Sequence, residues 1–304
     1  MSFKKFVLLV SAFVSFSSTA ALAQSSLQLL PPPPPRVGPV PPPPMNGGWG
    51  LQQFARDEQD ALAWNQKYNA APSGSWDESY ARDQRAQAVQ RAVNDIGPQA
   101  FQGMRSADIE AFADQITNKY NAAPSGSVIE GMYRQIQQVA YASFTQALQQ
   151  DVNYLSNDWR RLLEIATQLD QKYNAAASGS TKEKAYDQAR RLAYQVMPNA
   201  LSQELYQYQD FRQIEQLALY FDQQYNAAPS GSLKEGVFKQ MQRQSYDAAL
   251  QKVNSQIYSY PTNALLQLQD EYNSKYNAAS SGSAKEAYFR QVRDLARSLL
   301  SQGH

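Results

Sequence analysis

The chain has 304 residues, 43% of them hydrophobic and 18% charged, with a formal net charge of +1. That composition is globular, and a near-neutral chain has no electrostatic footprint for nucleic acid or an anionic membrane surface. There is no cysteine, and the single histidine, His304, is the last residue. Disulfides, thiolate chemistry, cysteine zinc sites, histidine-based triads and multi-histidine metal sites are therefore all excluded.

At the N-terminus, Lys4 and Lys5 precede an apolar run from Phe6 to Phe16, and Ala21-Leu22-Ala23 precede Gln24. A basic start, a short apolar stretch and an A-x-A site are the marks of a cleaved secretory signal, expected here over 1–23. The run is too short to span a bilayer comfortably, and no later stretch is long and apolar enough, so no membrane span is expected in the mature chain. Loss of Lys4 and Lys5 leaves 26 basic against 27 acidic side chains. The expected location is a bacterial periplasm or the extracellular medium, since neither cysteines nor an Asn-x-Ser/Thr site is present.

Residues 24–50 read as a proline-rich linker. Pro31 to Pro35 and Pro41 to Pro44 flank Arg36-Val-Gly-Pro-Val40, a composition that favours extended polyproline II and a semi-rigid spacer.

Residues 51–304 carry five copies of one phrase. It runs Tyr68-Asn-Ala-Ala-Pro-Ser-Gly-Ser75, then Tyr120–Ser127, Tyr173–Ser180, Tyr225–Ser232 and Tyr276–Ser283, with tyrosines 52, 53, 52 and 51 residues apart. A fixed period near fifty marks a stacked repeat. Before Tyr173, the residues Leu162, Ile165, Ala166 and Leu169 recur at helical spacing. Ile109, Phe112, Ala113 and Ile116 do so before Tyr120, and Ile214, Leu217, Ala218 and Phe221 before Tyr225. Each stretch is one face of an amphipathic helix A, with Ser106 or Asp108, Asp158, Asp210 and Thr262 as its expected N-caps. Helix A should end near the Tyr-Asn pair, the asparagine taking the left-handed cap position.

Helix B should start at the last serine of the phrase. The pairs Ser75/Glu78, Ser127/Glu130, Ser180/Glu183, Ser232/Glu235 and Ser283/Glu286 have capping-box spacing, with the serine oxygen accepting from the N3 amide and the glutamate reaching back to the serine amide. Breakers at Gly97-Pro98, Asn153 to Asn157, Pro198 and Pro261 predict a variable connection to the next helix A, with an extra short helix in some copies. Tyr141, Tyr194 and Tyr246 fall at core spacing, whereas Tyr206 and Tyr208, and Tyr258 and Tyr260, lie near breakers where exposure is expected.

The expected fold is all-α: tandem helix–loop–helix repeats, five copies of period about 52, forming an α-solenoid or an elongated helical bundle. The period is too long for tetratricopeptide or leucine-rich repeats, and the phrase matches neither of these nor HEAT repeats.

For chemistry, the phrase is the constellation to weigh. The candidate contacts are Tyr68, Asn69, Ser73; Tyr120, Asn121, Ser125; Tyr173, Asn174, Ser178; Tyr225, Asn226, Ser230; and Tyr276, Asn277, Ser281. In a regular stack they would supply stacking faces and hydrogen-bonding groups to a partner protein or a cell-envelope glycan. The competing reading is that these residues only build the turn. Asp57, Glu58, Asp60 and Asp77 read as a solvated charged face. The function expected is therefore binding or scaffolding without catalysis, cofactor or metal. The alternatives are an exported glycan hydrolase using carboxylates alone, which predicts one copy with a buried acid that the other four lack, or a purely structural spacer.

Overall fold

The computed structural model describes residues 49–303; the expected signal segment, the proline-rich stretch and His304 lie outside them. The described residues contain no strand. Their ten α-helices are α1 Trp49–Ala70, α2 Trp76–Asp95, α3 Ser106–Ala122, α4 Val128–Tyr154, α5 Trp159–Ala175, α6 Thr181–Leu205, α7 Phe211–Ala227, α8 Leu233–Gln256, α9 Thr262–Ala278 and α10 Ala284–Ser301. Odd-numbered helices are the A helices and even-numbered ones the B helices of the five copies. Among these residues no helix is long and apolar enough to cross a membrane.

The chain divides into two compact units, residues 49–197 and 198–303 of the described part. In the first, α1 packs on α2 and α3 on α4, and the B helices α2 and α4 also touch. Helix α5 is tied to α6 by Arg190 Nη1, which donates to Asp170 Oδ1 at 3.2 Å, and α4 meets α6 where Tyr141 and Phe144 pack edge-on against Tyr186. In the second, α7 packs on α8, α9 on α10, and α8 on α10. The predicted apolar faces are the core: Ile109, Ala113, Ile116, Leu162, Ala166, Leu169, Ile214, Leu217, Ala218 and Phe221 are buried, as are Tyr141, Tyr194 and Tyr246, while Phe112 and Ile165 are half-buried. Tyr206 and Tyr258 are exposed as expected, but Tyr208 is buried and Tyr260 half-buried.

The capping serines behave as expected in all five copies. Each accepts from the amide of its glutamate, at 3.0–3.1 Å. The glutamates do not reach the serine amide. In every copy the carboxylate accepts from the preceding glycine: Gly74, Gly126, Gly179, Gly231 and Gly282. The serine amide is already committed, because it closes a turn onto the residue three before it, as Ser75 N does on Pro72 O at 3.1 Å. The third residue of that turn is the glycine, at φ between +75° and +78°, as a type II turn requires.

No atom lies within 4 Å of where a Cβ would stand on these glycines, so the constraint is φ and not space. Gly231→Ala should therefore destabilise by about 1–2 kcal/mol, the penalty of a left-handed Cβ. Urea unfolding followed by circular dichroism would measure this, and no change would mean that the turn relaxes to another form.

Three helix-boundary expectations are corrected. The asparagines do not cap helix A: each A helix runs two residues past its tyrosine, and no residue but glycine has positive φ among the described residues. Asp158 and Asp210 are N-caps, but Arg105 and Pro261 stand at the cap positions of α3 and α9, with Ser106 and Thr262 already helical. Pro198 does not end its helix but lies inside α6. Met197, Ala200 and Leu201 around it are completely buried, so packing holds the helix through a residue that lacks an amide. Short 3-10 helices, Pro98–Phe101 and Ile257–Ser259, do occur in two of the connections.

Candidate functional site

Each octet forms the corner of its own A–B pair, and the corner is built the same way five times. The tyrosine ring is half-buried in every copy. Seventeen positions on, helix B carries Arg85, Gln137, Arg190, Gln242 or Arg293. Where that residue is arginine, its guanidinium sits over the tyrosine ring at 3.9, 3.7 and 4.4 Å in copies 1, 3 and 5. In copies 1 to 4 the same side chain also ties A to B. Arg85 bonds Asn65 at 3.1 Å, Gln137 bonds Thr117 at 2.9 Å, Arg190 bonds Asp170 at 3.2 Å and Gln242 bonds Asp222 at 2.5 Å. The tyrosine is thus the floor of the corner. Asn69, Asn121, Asn174, Asn226 and Asn277, together with Ser73, Ser125, Ser178, Ser230 and Ser281, are exposed in all five copies.

A second set of recurrent contacts links successive copies within each unit. Ten residues before the octet tyrosine, copies 1, 2 and 4 hold Glu58, Glu110 and Glu215. Glu58 accepts from Lys119 Nζ at 2.6 and 2.7 Å and from the Tyr133 hydroxyl at 2.8 Å. Glu110 accepts from Lys172 at 2.6 and 2.7 Å and from Tyr186 at 2.7 Å. Glu215 accepts from Lys275 at 2.6 Å and from the hydroxyls of Tyr272 and Tyr288. The donors belong to the next copy each time. Burial, followed by the neighbouring carboxylate, pushes the ionisation of Tyr133 and Tyr186 far above the ordinary phenol range, so these hydroxyls remain donors at any ordinary pH.

The corresponding positions of copies 3 and 4 are Leu163, Gln224 and Phe238, so carboxylate, ammonium and phenol are absent there together. Comparing the five copies column by column would have exposed this set in the sequence. Within one copy, a glutamate on an amphipathic helix looks like surface.

The cluster expected to be a solvated face is one in part: Asp77 is exposed and Asp60 half-exposed, but the other two acids are not. Asp57 and Glu58 are buried, at 8% and 7% exposure. Asp57 occupies the place of Ile109, Leu162, Ile214 and Leu265 in the other copies, all of them core residues. Its carboxylate accepts from Arg91 Nε at 3.2 Å and from Gln53 Nε2 at 3.2 Å, with the Asp95 carboxyl as its neighbour. Burial raises Asp57, but the bonds from Arg91, Asp95 and Gln53 outweigh it and hold this carboxyl below its usual range. Asp95 goes the other way: burial first, then the bond to Asp57 and its charge, push it up to about 6.

Two concavities flank these features. One of about 360 Å³ is walled by Glu110, Asp114, Lys172 and Lys182, whose charges cancel in pairs, Lys172 on Glu110 and Lys182 on Asp114. The other, of about 310 Å³, lies in the second unit between Tyr206, Tyr208, Gln244 and Lys252.

No family model, curated protein or solved structure matches this chain.

Proposed function

We propose that the protein is an exported, non-enzymatic helical-repeat protein of the bacterial periplasm or extracellular medium. Its five A–B pairs stack as a solenoid and present the octet corners to a partner, either a protein or a cell-envelope glycan. The observation that carries the reading is the asparagine. The turn does not use it, because each is helical and exposed while glycine, serine and glutamate build the corner. An exposed amide without a part in the turn, recurring five times beside an exposed serine, fits a contact that repeats along an extended ligand.

The carboxylate-hydrolase alternative does find a buried acid present in copy 1 alone, Asp57. That acid, however, is paired with the Arg91 guanidinium, Arg91 Nε lying 3.2 Å from Asp57 Oδ1. A glycosidase holds its two carboxyls about 5–9.5 Å apart, with the sugar or a water between them. Asp57 instead has its carboxylate taken up by Arg91 and Gln53.

The test is a chain with Asn69, Asn121, Asn174, Asn226 and Asn277 all changed to alanine. Its helix content and melting should match the parent within a few degrees. Its retention on isolated cell-wall glycan or on immobilised envelope proteins should fall by tenfold or more, as the multivalent contribution is lost. A parent chain retained on neither material would defeat the proposal.

A further inference from the structure

Copy 1 presents an aromatic face where other copies are covered. In copies 2 to 5, the residue four before the octet tyrosine is Ile116, Leu169, Phe221 or Tyr272, each buried; in copy 1 it is the half-buried Trp64. Twelve residues after the octet tyrosine, Met132, Ala185 and Tyr288 are buried in copies 2, 3 and 5, whereas Tyr80 is 44% exposed. Trp64 meets Tyr80 edge-on, Trp76 stacks on Tyr80 at 5.1 Å, and the Lys67 ammonium lies 3.9 Å over Trp64.

Copy 5 shows the matching face of opposite sense. Its residue ten before the octet tyrosine is Leu266, 51% exposed, where Glu58 and Glu215 are buried. The contacts within the second unit define what this position meets. Glu215 of copy 4 touches three residues of copy 5: Tyr272 four before, Lys275 one before and Tyr288 twelve after the octet tyrosine. In copy 1 those three places are Trp64, Lys67 and Tyr80.

We propose that copy 5 of one molecule docks on copy 1 of another, Leu266 seating against Trp64, Tyr80 and the stem of Lys67 in the register that joins copies 4 and 5. The occupant of both faces is a second copy of this chain. The contact is heterologous, so it propagates head to tail instead of closing on itself in pairs. One pairing in this register is unfavourable: Asp114 of copy 2 meets Lys182 of copy 3 at 2.8 Å, and the residues at those two places would be Asp270 and Asp77, both exposed acids.

Sedimentation velocity on the chain from residue 24, over concentrations reaching hundreds of micromolar, tests this. The parent should show a weight-average mass rising with concentration past the dimer. Leu266→Lys sets an ammonium against Lys67 and should weaken association by tenfold or more. Leu266→Glu should keep it, because glutamate with Lys67 and Tyr80 reproduces the Glu215 arrangement. Asp77→Lys should tighten it several-fold. Tyr80→Lys should be monomeric, yet mixing the Tyr80→Lys and Leu266→Lys chains should give a one-to-one complex that grows no further. Tyr80 and Leu266 are surface positions, and circular dichroism checks that both variants fold.

A parent that stays monomeric throughout overturns the proposal. So does loss of association in Leu266→Glu equal to that in Leu266→Lys, which would mark a greasy patch without register. A mixture that forms no complex also overturns it.

Discussion

Glu58→Leu should destabilise the first unit by about 2–3 kcal/mol, while the triple change Glu58→Leu, Lys119→Gln, Tyr133→Phe should return it to within about 1 kcal/mol of the parent. The single change removes the acceptor for the Lys119 ammonium and the Tyr133 hydroxyl. The hydroxyl is deep in the contact, since Tyr133 is 4% exposed, and stripping it of its partner leaves a desolvated donor unpaired. Lys119, a third exposed, recovers part of its hydration, which keeps the loss at the lower end for a broken buried pair. The triple change removes all three polar groups at once and substitutes the residues that copies 3 and 4 carry in those places, Leu163, Gln224 and Phe238. Urea unfolding of the three chains, followed by tyrosine fluorescence and circular dichroism, gives the comparison. If the triple change were as damaging as the single one, the coupling argued from these contacts would be wrong.

This set also shows where sequence reading succeeds and where it stops. The octets, the capping serines and the A-helix faces were legible because each is local: an i to i+3 cap or an i, i+3, i+4, i+7 stripe is decided within a turn or two of chain. The link from Glu58 to Tyr133 spans 75 residues, and nothing near Glu58 marks it as buried. The same applies to Asp57, whose neighbours in sequence are charged but whose neighbours in space are Arg91 and Asp95 on helix α2.

Local rules also erred where two of them competed for one group. Capping-box spacing gives the serine amide to the glutamate, yet the same amide closes the Pro-Ser-Gly-Ser turn, and the glutamate takes the glycine amide that the turn leaves free. Asparagine suits a left-handed cap, yet in copies 2 to 5 the alanine after the helix end is extended, as at Ala123 with φ −72° and ψ 145°. The chain leaves helix A by an extended residue, so no left-handed one is needed until the glycine. At Pro198, propensity gave way to the buried Met197, Ala200 and Leu201.

Asp95→Asn should raise stability by about 1–2 kcal/mol at pH 7–8 and leave it nearly unchanged near pH 4. The sign follows from the direction of each shift. Asp95 holds its proton in the folded chain up to about pH 6 but releases it near the ordinary carboxyl value of 3.8 when unfolded. Between those values the folded state binds more protons than the unfolded one, so stability falls as pH rises and the full penalty is present above pH 6. Asp57, held below its usual range by Arg91, Asp95 and Gln53 against its burial, has the opposite sign: its contribution is present above 3.8 and is lost as pH falls through its lower folded value. The two slopes together place the stability maximum of this cluster on the acid side of neutrality. Asparagine at position 95 still donates to Asp57 and has no charge to repel it, so the descending limb between about pH 4 and 6 should vanish while the acid limb stays. Replacing the whole cluster by the residues of copy 2, through Asp57→Ile, Arg91→Ser and Asp95→Ala, should remove both limbs and stabilise at pH 7 by about 1–4 kcal/mol, the range found when buried ionic groups give way to packed apolar ones. Thermal unfolding at pH 4, 5.5 and 7.5 separates these outcomes. An Asp95→Asn chain whose stability follows the parent at all three values would mean that the two carboxyls are not coupled.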